Sequence, residues 1–329
     1  YIFLSPLAKY SGAEMGLLGF PDHPLQVAGD LKIDLKSRTQ IYLIVGVVSF
    51  IGIGWLHRIA SSPAGLIMRA VVCESFGGLD ALRLGEIENP QAAAGQILVD
   101  VHAASVSFMD CLMVAGKYQM RPQTPFVPGT DAAGIVSAVG AGVTRFKPGD
   151  RVACGGWFGS YAEQLTAPQS WAARLPPAVD YVTGSAVRHC YGTAYYGLVI
   201  CAKLQPGETV FVTGAAGGVG LAVVDLARHL GARVIGGVGS AEKAAIVREY
   251  GAAEVIDYVH EDLRERLRAV TGGKGVDVFF DILGGEVFTT MTRLMNWGGR
   301  MLPIGFASGA IPSVPMNLPL LKNYSIVGV

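Results

Sequence analysis

In this 329-residue chain the residues best suited to chemistry are the small side chains of Ala215-Ala-Gly-Gly-Val-Gly220, set between a β-branched run and an amphipathic one. The small residues of 214–218 let a backbone approach an anionic group. Gly220 lets a helix lie against the preceding strand, so that helix N–H groups near Ala216, Gly217, Gly218 and Val219 face a pyrophosphate. A second group of residues falls where the next strand should end. Ile235-Gly-Gly-Val-Gly-Ser240 carries no Asp or Glu at its tip. An acid there would accept a ribose 2′-hydroxyl and repel a 2′-phosphate. Gly239, the Ser240 hydroxyl and the Lys243 cation instead favour NADPH over NADH, with Glu242 as the dissenting charge.

The elements that must position these residues are legible from periodicity. Residues 209–213 read as a strand, and Val219, Val223, Leu226 and Leu230 recur at helical spacing. Strands over 232–237, 254–257 and 276–281 follow, separated by helices over about 241–250 and 263–270. Strands alternating with helices predict a doubly wound parallel sheet, a Rossmann arrangement. The loops at 284–285 and 305–309, after strands 276–281 and 301–304, then lie at the carboxyl ends of parallel strands, where open α/β sheets bind ligands. Leu283, Gly284, Ile304, Gly305 and Phe306 are the candidate contacts there, with Asp281 orienting the first loop.

Composition bounds the partners. Lys plus Arg and Asp plus Glu both total 26, so no net field attracts nucleic acid or an anionic membrane, and a small-molecule partner is expected. The five cysteines form no C-x-x-C pair, which argues against a disulfide scaffold or zinc knuckle and for reduced thiols in the cytoplasm. Residues 1–67 do not match the rest. They hold an uncharged run over 41–56, shorter than the roughly 20 residues a spanning helix needs. The segment reads as an appended extension ahead of Met68, or else as a marginal membrane anchor.

From Met68 short strands are expected over 68–73, 96–102, 133–139 and 160–165, bounded by Gly, Pro or Asn, which makes a β-rich domain. A helix over 182–200 follows. The domains are thus placed at 68–190 and 191–329.

Residues 68–329 resemble the zinc-independent branch of the medium-chain dehydrogenase/reductase superfamily, nearest the NADPH:quinone oxidoreductases that include zeta-crystallin. The resemblance is carried by Ser107-Phe-Met-Asp110, Gly116-Lys-Tyr118, Pro125-Phe-Val-Pro-Gly-Thr-Asp-Ala-Ala-Gly134, Gly149-Asp-Arg-Val152, the glycine turn, Gly239-Ser-Ala-Glu-Lys243 and Gly305-Phe-Ala-Ser-Gly309. It implies an α/β protein in which a GroES-like catalytic domain precedes the Rossmann domain, with the active site between them. It also implies Tyr258 at a phosphate-contact position, Thr193 beside the nicotinamide and a homodimer. By the same standard the chain stops before a further helix and return segment, as a C-terminal truncation would.

Zinc relatives place a Cys on the segment reading Ser107-Phe-Met-Asp110 here, and a His-Glu pair where Thr130-Asp131 stands; His102 and His189 read as core or interface side chains. Without a metal to polarise a carbonyl, the expected acceptor is a quinone or a conjugated alkene. The proton would come from solvent, Tyr118 or Ser107, with Asp110 orienting the loop or the acceptor. An enoyl or 2-alkenal reductase and a non-catalytic NADPH-binding module are the alternatives. Ser107 and Leu112 depart from the Asn and Tyr common at those positions in quinone reductases.

Overall fold

The computed structural model describes residues 67–329, so the extension and its apolar run over 41–56 lie outside the described residues. The chain divides into two compact units between Arg188 and His189.

The first unit is built on antiparallel strands. β1 (Ile67–Cys73) pairs with β2 (Leu82–Glu88) as a two-stranded ribbon. β3 (Gln96–Ala104), β4 (Asp131–Val139), β5 (Arg151–Gly155), β6 (Gln164–Pro168) and β7 (Ala173–Arg174) form a five-stranded sheet in the order β6-β3-β4-β5-β7. Alternate residues Ile97 and Val99 of β3, Val136, Val152 and Leu165 turn into one apolar core with Phe146. A short helix, α1 (Phe108–Val114), follows β3, and α2 (Tyr181–Tyr195) closes the unit and runs on through a π-helical turn over Tyr196–Cys201.

Sequence periodicity misplaced one strand of this unit and missed three, β2, β5 and β7. The strand expected over 160–165 begins at Gln164 instead, because the preceding chain is turned to face another segment. Ser160 and Tyr161 donate their N–H groups to the Gly129 and Pro128 carbonyls, both at 3.0 Å. Of this stretch Ala162 makes only an isolated bridge to Ala70. β2 escaped because its side chains stay partly or fully exposed, with no buried set to read.

The second unit carries β8 (Thr209–Val212), α3 (Gly218–His229), β9 (Arg233–Val238), α4 (Ala241–Glu249), β10 (Glu254–Asp257), α5 (Leu263–Thr271), β11 (Val276–Asp281), α6 (Gly285–Met291), β12 (Met295–Pro303), α7 (Asn317–Lys322) and β13 (Ser325–Ile326). Its six strands pair in the order β10-β9-β8-β11-β12-β13, all parallel. That order reverses between β8 and β11, the switch point of a doubly wound sheet. Val210, Phe211 and Val212 are all fully buried, as a central parallel strand covered on both faces requires. The last strand, β13, is only two residues long and starts after Asn323 takes a left-handed turn at φ 54°. No helix among the described residues is long and apolar enough to cross a membrane.

Candidate functional site

The Rossmann unit presents an open helix end at the switch point. Gly217 donates to the Gly214 carbonyl at 2.9 Å and Ala215 to the Gly237 carbonyl at 3.0 Å, which folds the glycine turn against β9. Gly217 then starts α3 with no side-chain cap, whereas the Ser240 and Asp262 side chains cap α4 and α5. The first N–H groups of α3 therefore lack a side-chain acceptor and are available to an anion. A Cβ on Gly220 would overlap the Gly214 carbonyl and come within 2.7 Å of the Ala215 Cα, so only glycine permits this approach. Ala216, Gly217, Gly218 and Val219 all line this turn, partly exposed.

Behind the turn, α2 is locked to α3. The buried Tyr191 hydroxyl donates to Asp225 Oδ2 at 2.9 Å, and a Cβ on Gly218 would meet Cys190 Sγ at 2.9 Å. Thr193 lies half-buried on the same helix. The family resemblance singles out Thr193 but not the Tyr191–Asp225 pair, since a Tyr and an Asp so far apart in the chain give no local signal.

At the tip of β9, Ser240 Oγ accepts the Lys243 N–H at 3.4 Å and leaves the Lys243 side chain exposed. Tyr258 donates its N–H to the Val238 carbonyl at 3.1 Å, and its ring edge would lie 3.9 Å from a Cβ on Gly239. Gly239, Ser240, Lys243 and Tyr258 are thus brought to one end of β9 and β10. Burial lifts the Tyr258 phenol above its ordinary range, helped by the Asp257 and Asp281 charges.

Asp281 ties the remaining loops together. Its fully buried carboxyl accepts Thr213 Oγ1 at 2.7 Å, the Gly284 N–H at 2.8 Å and the Leu283 N–H at 3.2 Å. Thr213 Oγ1 in turn accepts the Ile282 N–H at 2.9 Å, and the Asp281 carbonyl accepts Ile304 N–H at 2.8 Å. Burial raises the Asp281 carboxyl above the usual carboxylate range, and these donors pull it back. Leu283, Gly284, Ile304, Gly305 and Phe306 are in this way fixed in two adjoining loops, with the Phe306 ring against Gly284. The chain expected only as loop after Asp281 enters α6 at Gly285.

In the GroES-like unit the residues around α1 form a buried acid centre. Ser107 and Asp110 make a reciprocal capping box: Asp110 Oδ2 accepts the Ser107 N–H at 2.7 Å and its hydroxyl at 2.8 Å. The Tyr161 hydroxyl reaches the same oxygen at 3.0 Å. Asp110 Oδ1, Asp131 Oδ2, Thr130 Oγ1 and Ser160 Oγ are buried without partners. Burial raises the Asp110 carboxyl, and the Asp131 charge adds to the effect against the opposing hydrogen bonds. Burial and the Asp110 charge push the Tyr161 phenol far up. Asp131 is held by Arg188, Nε to Oδ1 at 2.7 Å. Tyr118 stands apart from this centre, packed on Cys73, Met113, Val114 and Phe126. No hydrogen bond among the described residues engages its hydroxyl. Tyr161, Asp131 and Arg188 were not singled out from sequence. Tyr161 joins the centre only because its ring lies over Gly129.

Among the described residues, no three His, Cys, Asp or Glu side chains are gathered so as to hold a metal ion. Cys154, close enough to Asp131 and Arg188 to feel their charges, is buried, and burial pushes its thiol pKa up to about 12.

A GroES-like β unit joined to a doubly wound sheet with an open glycine turn defines a medium-chain dehydrogenase/reductase. Residues 93–177 match the alcohol dehydrogenase GroES-like domain, and residues 218–329 match the zinc-binding dehydrogenase domain. The chain is 42 % identical over 264 residues to quinone oxidoreductase-like protein 2 homolog of Nematostella vectensis, covering 79 % of this chain and 72 % of that one. It is 35 % identical over 265 residues to the quinone oxidoreductase of Homo sapiens, covering 80 % of each. Among solved structures, Escherichia coli quinone oxidoreductase complexed with NADPH matches with a TM-score of 0.74 and 34 % identity, over 79 % of this chain and 80 % of that one. The chain belongs to the quinone oxidoreductase family of medium-chain dehydrogenases/reductases.

Proposed function

We propose that the protein is a cytoplasmic, zinc-independent oxidoreductase that binds NADPH in its Rossmann unit and reduces a quinone or another conjugated carbonyl. The observation that carries the reading is the end of β9, which reaches Ser240 with no acid and is followed by Lys243, with Glu242 the one dissenting charge, in a family whose Escherichia coli member is solved with NADPH. Bound NADPH supplies a hydride from its nicotinamide ring. The chain's own residues do the rest. The open N–H groups of α3 hold the pyrophosphate, Ser240, Lys243 and Tyr258 receive the 2′-phosphate, and Thr193 with the 282–285 and 304–306 loops orients the ring end. That no metal-ligand set is gathered among the described residues is in keeping with an acceptor that takes hydride without a Lewis acid.

In the GroES-like unit, the Ser107 hydroxyl donates to Asp110, so Ser107 and Asp110 hold the start of α1 while Tyr118 keeps a free hydroxyl for the acceptor or its proton. That free hydroxyl favours the second reading, an enoyl or 2-alkenal reductase with Tyr118 as proton donor. None of the five cysteines is in a disulfide, which supports the reducing compartment, and the exposed Ile326 on edge strand β13 supports a homodimer paired there.

The test is NADPH oxidation with a quinone and an enone side by side, with NADH as control. Quinone turnover with NADPH but not NADH is the expected result. Turnover of enone alone, abolished by Tyr118→Phe, would move the protein to the alkene reductases. Tight NADPH binding with no turnover of either acceptor would leave a binding module.

A further inference from the structure

The end of the Rossmann sheet opposite the cofactor loops carries three cations without a counter-charge. Arg268 lies in the last turn of α5, Arg293 just ahead of β12 and Lys322 at the end of α7, and all three line one pocket of about 70 Å³. None forms an ion pair within 4.0 Å with any carboxylate of the described residues. The pocket floor is Gly275 and Leu294, which immediately precede β11 and β12. The dinucleotide loops leave the other ends of these strands, about 20 Å away for a strand of this length.

Three like charges around one concavity repel each other, and among the described residues they meet carbonyl oxygens and helix C-termini but no carboxylate within 4.0 Å. Arg268 is not needed to complete its helix end, since the Gly273 N–H already donates to the Arg268 carbonyl at 2.8 Å. Lys322 is anchored by two of its three N–H donors, to the Arg293 and Met295 carbonyls, each at 3.0 Å. Its third donor remains for a ligand. Burial and the Arg268 charge both lower its pKa, an effect that a bound anion would reverse. The volume exceeds several-fold the roughly 10–15 Å³ that one water needs, yet it is far too small for a dinucleotide.

We infer that this pocket is a second anion site, for a phosphate-type oxyanion, formed by Arg268, Arg293 and Lys322 and separate from the cofactor cradle. Two arginines and one lysine lining one small volume bring the donor types that suit a tetrahedral oxyanion.

The test uses the full chain saturated with NADPH and titrated with inorganic phosphate at constant ionic strength, read by calorimetry and by the shift in melting temperature. A parallel titration with sulfate asks whether the site needs a protonated oxygen. Saturable phosphate binding is expected, weakened at least tenfold by Arg268→Ala with Arg293→Ala and kept by Ser240→Ala with Lys243→Ala. Both arginine side chains are exposed, so the double variant should fold, and the Arg268→Lys/Arg293→Lys pair should restore part of the affinity. Absence of saturable binding, or binding indifferent to the arginines, overturns the inference. Loss only in the Ser240/Lys243 variant would assign the phosphate to the cofactor site. Because the arginine variants leave the cofactor residues untouched, a failed cofactor assignment shows as lost NADPH affinity and is distinguishable from a failed anion site.

Discussion

Thr213→Val tests whether the Thr213–Asp281 bond fixes the cofactor loops. The replacement keeps the volume and removes one hydroxyl at a fully buried position. It deletes the 2.7 Å hydrogen bond to Asp281 and strands the Ile282 N–H, which Thr213 Oγ1 accepts at 2.9 Å. A buried hydrogen bond to a carboxyl contributes about 1–2 kcal/mol, and an unpaired buried N–H costs about as much again, so a loss of about 2–4 kcal/mol is expected. At about 3 °C per kcal/mol for a unit of this size, the melting temperature should fall by about 6–12 °C. The assay is thermal unfolding of Thr213→Val, Asp281→Asn and the double variant, with the NADPH dissociation constant measured for each. The two changes should be non-additive by at least about 1 kcal/mol, and NADPH should bind more weakly in both single variants. A drop below 2 °C with additive effects would refute the anchoring role.

Gly220→Ala should cost about 1–3 kcal/mol through overlap with the Gly214 carbonyl and weaken NADPH binding, measured by unfolding and fluorescence titration. The Asp225 side chain, 3.2 Å from His229 Nδ1, raises the imidazole pKa against the opposing effect of burial. A raised histidine contributes stability that is full below its unfolded pKa of about 6.5 and is lost as pH rises through the folded value. The melting-temperature gap between wild type and His229→Gln should therefore shrink between pH 6 and pH 9, and a constant gap would contradict the pairing. Thiol labelling at pH 8 should modify the exposed Cys111 and spare the buried Cys154, whose pKa is about 12, until denaturant is added.

Much of the Rossmann unit was legible because its signals are local. Strands 254–257 and 276–281 coincide with β10 and β11, since both are short β-branched or aromatic runs punctuated by glycine. The glycine turn and the acid-free tip of β9 are likewise contiguous in sequence. What was hidden is what folding brings together from afar. Tyr161 meets Asp110 across 51 positions and Arg188 meets Asp131 across 57, and neither pair has a period or a motif. Ser107 was read as a possible proton donor, and local spacing could not show that its hydroxyl donates a hydrogen bond to Asp110, three residues on. α6 was lost because Val287, Phe288, Thr289 and Thr290 suit a strand as well as a helix, and only burial of Phe288 and Met291 against the core decides it.

The most direct test of the account is a single-turnover measurement of NADPH oxidation by a quinone, using protein dialysed against a chelator and checked for residual metal. The account predicts an undiminished rate with NADPH, a rate at least tenfold lower with NADH, and no gain on adding zinc. Loss of the reaction on chelation with recovery on zinc addition, or equal rates with the two dinucleotides, would contradict it.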